Sequence, residues 1–325
     1  MRYKSFGNTD MKVSAFSVGT WELGGAFWAK TERNESIEAV RAMVEQGAVT
    51  IDTAPVYGFG VPTLPDLGYG NAEVLVGEAV KGMRDKVQII TKCGLNYDRA
   101  IGPKSLYKSM TRKEILEGCE GSLKRLQTDY IDLLFVHWPD AKTPLEEMTD
   151  ALRDLQRAGK IRYYGLSNFT PEDTLAAHKL LPVSAVQLQY SMVNRSNEAV
   201  LRQMHENGIG TMTYGSLGSG ILTGTIRELP SFAPNDTRVS FYDYFKEPKF
   251  GRIMQLLQQM DKIAEKRRVP LAQIALNWST QRDFVDTAIC GVSKPAQAAE
   301  NCAAANWQLT DEEMAFLNDA VNTYA

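Results

Sequence analysis

Two hydrophobic periods alternate along the chain. Short runs such as AVTID, VQIIT and IDLLFVH place apolar residues consecutively, as a strand buried on both faces requires. Between them, apolar residues recur at spacings of three and four, the period of one helix face. After a short N-terminal hairpin, this pattern predicts strands at 14–19, 48–52, 86–91, 130–137, 160–167, 184–190, 209–214 and 284–290. Helices are predicted at 35–46, 71–80, 111–126, 143–158, 171–180 and 198–206, with a later one opening inside 291–301 and a closing one at 310–322. Boundary signals agree. Thr111 precedes Glu114 and Thr143 precedes Glu146, both capping-box patterns. Pro171 stands at a helix start, and Gly47, Gly159 and Gly208 stand just past helix ends.

Strand alternates with helix eight times without a linker or a break in composition. That predicts an α/β fold with residues 1–325 as a single (β/α)8 TIM barrel, rather than a doubly wound sheet with a second domain. Segments 61–70, 94–110 and 215–247 exceed the minimal plan. Each follows a strand, so each belongs to the C-terminal face, where barrel active sites lie.

The strand ends carry the polar chemistry. Asp52 ends the second strand, Lys92 the third and His137 the fourth. Ser167 and Asn168 follow the fifth, Gln189 and Tyr190 close the sixth, and Tyr214 ends the seventh. Tyr57 follows Asp52 by five residues on a loop bounded by glycine and proline. An Asp after a strand is commonly a turn residue, and a lone His is commonly structural. Three adjacent strands ending on ionisable groups point instead to one site.

Composition narrows the function classes. Over 325 residues, 36 Lys and Arg oppose 39 Asp and Glu, for a net charge of -3, with no basic run interleaved with aromatics. A nucleic-acid or anionic-lipid partner is not expected. No apolar stretch reaches membrane-spanning length, and the first residues lack a signal-peptide pattern. Four cysteines without CxxC spacing and three histidines predict no metal site and a reducing, cytoplasmic setting.

The remaining chemistry is proton transfer. A phenol of pKa about 10 is a poor acid at neutrality. An ammonium beside it favours the phenolate, and a carboxylate paired with that ammonium keeps it charged and oriented. Asp52, Lys92 and Tyr57 supply these parts, and His137 can bond a carbonyl oxygen alongside. No Ser-His-Asp set and no obvious carboxylate pair for glycoside hydrolysis is present. Such a site protonates an oxygen but lacks a nucleophile, and a hydride-carrying cofactor would complete it. GSLGSGILTG, from Gly215, has the composition to bend around a pyrophosphate. Ser293 and Lys294 precede a helix start where backbone N–H groups bind anions, and Tyr214 is placed to stack on a flat ring.

From GTWELGG to the C-terminal helix, the chain resembles an aldo-keto reductase. IDTAPVYG, ITKCG, FVHWPD, GLSNF, QLQYS and GVSKPAQAAEN fall in that family's order. The resemblance implies Asp52, Tyr57, Lys92 and His137 as the catalytic tetrad, with Tyr57 as general acid/base. It implies Ser167, Asn168 and Gln189 against the nicotinamide carboxamide and Tyr214 under its ring. Gly215, Leu217, Gly220 and Leu222 fall in the pyrophosphate loop; Gly291, Ser293, Lys294, Gln297, Glu300 and Asn301 fall at the adenosine end. Thr20 and Trp21 join the cofactor contacts, and Trp21, Trp28, Tyr57, His137 and Trp138 shape the substrate pocket.

The sequence also departs from the family pattern. Ser216 stands where relatives more often have Pro, Thr225 replaces a Lys, and the segment usually opening IPG reads ICG. Lys294 is the close cation for a 2′-phosphate, which favours NADPH and leaves NADH open. The 61–70 loop is longer than usual and is expected to wall the substrate, with Asp66 and Asn96 suiting a polyol. The implied activity is carbonyl–alcohol interconversion on a small aldehyde, ketone or sugar. A cofactor-binding regulatory subunit and an isomerase or lyase with a retained cofactor are the competing readings.

Overall fold

The structure, a computed structural model, describes residues 1–25, 32–61, 63–102, 105–232 and 238–325. Strands β1 (Tyr3–Ser5) and β2 (Lys12–Ser14) pair as an antiparallel hairpin. The barrel is built from β3 (Phe16–Gly19), β4 (Thr50–Asp52), β5 (Gln88–Cys93), β8 (Ile131–Val136), β9 (Ile161–Ser167), β10 (Ala185–Gln189), β11 (Gly210–Tyr214) and β12 (Thr287–Gly291). Every neighbouring pair is parallel, and β12 closes onto β3. The predicted (β/α)8 barrel is therefore the observed fold. The first strand starts two residues later than its pattern predicts, because Ser14 belongs to the hairpin.

The hairpin fills the bottom of the barrel. Phe6, Met11 and Val13 pack with Ile90, Leu133, Phe135, Ala185 and Met212 in a cluster closed to solvent. A barrel of this size is a packed core rather than a pore, and here the hairpin supplies the lowest layer.

The helices form the outer ring: α1 (Arg33–Glu45), α2 (Asn71–Ala79), α3 (Arg112–Leu126), α4 (Leu145–Arg157), α5 (Pro171–Leu180) and α6 (Glu198–Glu206). Thr111 caps α3 through Glu114 N–H, as predicted. Thr143 does not cap α4, whose first turn is led by Pro144. Its N–H and hydroxyl, with Lys142 N–H, are instead gathered by the Asp140 carboxylate, a competing turn acceptor that delays the helix.

The three long segments acquire structure of their own. Residues 94–110 form an antiparallel hairpin, β6 (Leu95–Tyr97) with β7 (Leu106–Lys108). Beyond the seventh strand come a short α7 (Arg238–Phe241) and two full helices, α8 (Lys249–Arg267) and α9 (Leu271–Thr280), which the strand–helix count left unassigned. Phe250, Ile253, Leu256, Leu257, Met260, Ile263 and Ala264 carry the buried α8 stripe at helical spacing. Every residue of α9 is buried, and its polar stripe of Gln273, Asn277 and Thr280 turns inward, with Gln273 donating to Glu300 O and Asn277 to Ala304 O. Helix α10 (Pro295–Cys302) completes the ring, and α11 (Asp311–Tyr324) closes over α8. Thr310 and Glu313 cap α11 reciprocally, and Glu313 also holds Arg267 of α8. No described helix is long and apolar enough to cross a membrane.

Phe6→Ala should test the floor of the barrel. Deleting a fully buried ring is expected to cost about 3–5 kcal/mol, read as a lower urea midpoint with unchanged slope, whereas exposed Tyr3→Ala should cost far less.

Candidate active site

Asp52 and Lys92 close adjacent strands, and both side chains enter the barrel mouth with 2% and 0% exposure. Lys92 Nζ donates to both Asp52 oxygens at 2.8 and 2.7 Å and to Thr53 O at 2.9 Å. It reaches the Tyr57 hydroxyl at 3.1 Å. A bare ammonium at this depth would deprotonate, and burial does push the Lys92 pKa down while Asp52 pulls it back up. The Asp52 backbone is held too, because Thr20 Oγ1 donates to Asp52 O at 2.9 Å.

Tyr57 stands where it does because two backbone loops touch. Gly58 adopts φ 105, and a Cβ on Gly24 would overlap Gly58 N. The turn after β3 and the loop after β4 thus meet through glycines, pinning the preceding tyrosine over the Lys92–Asp52 pair. Behind this loop, Glu73 of α2 accepts from Thr91 Oγ1 and Arg125 Nε, each at 2.6 Å.

The ionisation of Tyr57 differs from the sequence expectation. Its pKa rises well above that of a free phenol, chiefly through burial and then through the charges of Asp52 and Glu22. The physical reason is burial first, which strips a phenolate of its hydration, and then the negative charge of Asp52, which opposes the acidification expected from the ammonium. Tyr57 therefore keeps its proton. His137, across from it with ring centroids 6.3 Å apart, has its pKa lowered well below the usual histidine range by burial and by Lys92. It is a neutral imidazole, able to bond an oxygen but not to carry charge.

Further round the mouth, Asn168 adopts φ 63 and ties three strand ends together. Its Nδ2 donates to His137 O and to Ser167 Oγ, each at 3.0 Å, and its Oδ1 accepts from Tyr214 at 2.9 Å. Gln189 Nε2 donates to Tyr244 at 3.1 Å, and Tyr244 stacks on Tyr242. Trp21, Tyr57, His137 and Trp138 form neighbouring ring pairs, and Phe241 sets its edge against Trp21. Trp28, expected in the substrate pocket, lies outside the described residues, as does Pro62 in the loop after Tyr57.

The rest of that loop joins the β6–β7 hairpin. Tyr69 packs on Tyr97 and donates to Leu95 O and Asn96 Oδ1 at 3.1 Å. Asp66 pairs with Arg99, and Asn96 also donates to Glu114. The two polar groups expected to face a polyol are thus engaged in holding the rim together.

At the cofactor-expected segments the outcome is mixed. Leu222 is fully buried and Leu217 packs on the core, so both anchor the Gly215 loop from beneath. Gly220, at φ 91 with open space beside its Cα, leaves bare backbone at the mouth. Gly291 ends β12, Asn301 is buried and Glu300 is exposed. The N–H groups of Ser293 and Lys294 are not free. Gln297 Oε1 accepts from both, at 2.8 and 3.2 Å, and from Ser293 Oγ at 3.0 Å.

Two groups escaped the sequence reading. Gln187, inside β10, donates to Asp52 Oδ2 at 2.7 Å. Its signal was an inward-facing amide in an apolar strand. Glu22 follows Trp21 on the turn after β3 and contributes to the charge around Tyr57.

The sequence profile described as "Aldo/keto reductase family" matches residues 15–322. The chain belongs to the aldo-keto reductase family. It is 37% identical to the aldo-keto reductase YhdN of Bacillus subtilis, covering 98% of this chain and 93% of that one. It is 30% identical to the NADH-specific methylglyoxal reductase of Escherichia coli, over 98% of each chain. Among solved structures, the glycerol dehydrogenase of Gluconobacter oxydans superposes with a TM-score of 0.88 at 29% identity, covering 99% of this chain and 96% of that one. This aldo-keto reductase is accordingly an enzyme that interconverts carbonyl and alcohol groups with NAD(P)H.

The buried pair makes stability and activity separable in this aldo-keto reductase. Lys92→Met leaves Asp52 buried without its cation and should cost about 3–5 kcal/mol of stability. Replacing both, Asp52→Leu with Lys92→Met, should restore most of that stability while hydride transfer stays abolished. Chemical melts and single-turnover rates on both variants check it. A double variant no more stable than the single one would show that the pair is needed for folding itself.

Proposed function

We propose that this aldo-keto reductase reduces small, hydroxyl-bearing aldehydes or ketones with NADPH, using Tyr57 as the proton donor. The observation that carries this reading is the buried chain from Asp52 through Lys92 to a protonated Tyr57, opening beside a neutral His137. When bound, the reduced nicotinamide supplies a hydride to the carbonyl carbon. Tyr57 gives its proton to the carbonyl oxygen, and Lys92, 3.1 Å from the phenol oxygen, stabilises the phenolate left behind. His137 holds the same oxygen in place through a hydrogen bond. In the reverse direction Tyr57 accepts the alcohol proton. Glycerol and methylglyoxal, named for two relatives, are both three-carbon compounds, which supports a small polyol or aldehyde as substrate.

Tyr214, Ser167, Asn168 and Gln189 would hold the nicotinamide end. The bare backbone at Gly220 would hold the pyrophosphate, and Ser293, Lys294, Gln297 and Asn301 the adenosine end. Lys294 is exposed at the start of α10 and forms no ion pair among the described residues, which supports recognition of a 2′-phosphate. The E. coli relative is NADH-specific by name, so the preference belongs to such local residues rather than to the fold.

Tyr57→Phe should slow hydride transfer by roughly 10²–10⁴ with dinucleotide affinity retained, the usual worth of a positioned acid. Wild-type chemistry in this variant would dismiss Tyr57 as donor.

The raised phenol pKa sets the pH dependence. The acid form needed for reduction persists across neutrality, so single-turnover reduction at saturating cofactor should be flat from about pH 6 to 9. Oxidation needs the phenolate and should keep rising with pH over that range.

Lys294→Ala should weaken NADPH by about tenfold or more and leave NADH unchanged. Equal loss for both dinucleotides in a fluorescence titration would remove the 2′-phosphate assignment.

A further inference from the structure

Glu22 lies at the barrel mouth without a described counter-charge. It opens the short turn after β3, and its carboxylate leans on the end of β12, where a methyl group on Gly291 would clash with both oxygens. The titratable groups that face it are Asp52 of β4, Tyr57 of the following loop, Cys290 of β12 and Tyr242 beyond α7. None of them is cationic. Lys92, behind Asp52, already directs its donors at Asp52, Thr53 O and Tyr57. Burial, opposed by the residue's own N–H and reinforced by Asp52, raises the Glu22 carboxyl to about 7.

A turn does not need a carboxylate in this position, and an acid next to Asp52 is unfavourable for the fold. Its ionised form accepts hydrogen bonds and donates none. Trp21, the residue before it, pairs with Tyr57 and Phe241 at ring-centroid distances of 6.4 and 6.2 Å, so aromatic faces share this mouth with the carboxylate. Flat apolar faces next to an acceptor-only group match a ligand that presents C–H bonds on one side and hydroxyl donors on another. Such donors would form short charge-assisted bonds to the carboxylate and favour its ionised form.

We propose that Glu22 is a specificity-determining residue of the mouth, accepting hydrogen bonds from the vicinal hydroxyls of a ligand. Those hydroxyls belong either to a ribose of the dinucleotide or to a polyhydroxy substrate. The inference rests on the oxidoreductase reading given above and adds a group which that reading does not use.

The experiment compares wild type, the isosteric Glu22→Gln and Glu22→Ala at pH 8, where Glu22 is mostly ionised. NADPH and NADH affinities come from fluorescence titration without substrate. The kcat/KM ratio of glyceraldehyde to propanal, at saturating cofactor, isolates the hydroxyls, since the two aldehydes share a three-carbon skeleton. Circular dichroism melts confirm folding, and the isosteric variant decides if Glu22→Ala fails to fold. If the ribose is the donor, both dinucleotides weaken by about tenfold or more and the aldehyde ratio holds. If the substrate is the donor, the ratio falls by that factor and the affinities hold. Changes below twofold in both readouts would overturn the proposal. So would tighter dinucleotide binding by the variants, which would make Glu22 a repulsive group. A wild-type protein that binds neither dinucleotide would overturn the functional reading and this inference with it. Bound dinucleotide with Glu22-independent behaviour would overturn the inference alone.

Discussion

An ammonium with no exposure to solvent is the constraint around which the mouth of this barrel is organised. Moving Lys92 out of water is costly, and only close, well-directed acceptors make it tolerable. Asp52 supplies two and Thr53 a third. Asp52 must then be held in turn, by Thr20 through its backbone and by Gln187 through its carboxylate. These partners come from the turn after β3 and from β4, β5 and β10, so the pair exists only when the barrel is closed.

Burial and this pair together determine the charge state of the site. Burial, and then the Asp52 charge, disfavours a phenolate, so Tyr57 keeps its proton. Burial, and then the Lys92 charge, disfavours a charged His137. The result is a protonated phenol beside a neutral imidazole.

The insertions convert this generic mouth into a particular one. The loop after Tyr57 and the β6–β7 hairpin form one aromatic unit through Phe59, Tyr69 and Tyr97. On the opposite side, Tyr242 and Tyr244 stack and Phe241 meets Trp21. The mouth is thus bordered by aromatic rings from distant parts of the chain.

Periodicity by itself determined the barrel, because buried parallel strands must be apolar throughout and their helices amphipathic. It also placed Asp52, Lys92, His137, Asn168 and Tyr214 at strand ends, since a register read along one strand needs no knowledge of its neighbours. It left α8 and α9 unassigned although both carry helical spacing, because a count of one helix per strand has no place for an extra pair after the seventh strand. Three features depend on how side chains meet in space, and no local pattern encodes them. One is the direction of the Tyr57 pKa, which depends on how deeply the closed barrel buries the phenol beside Asp52. A second is the capture of the Ser293 and Lys294 amides by Gln297, whose side chain folds back from α10 onto the turn before it. The third is Glu22, an ordinary acid in TWELGG until closure of β12 against β3 sets its carboxylate against Gly291 and near another carboxylate, Asp52.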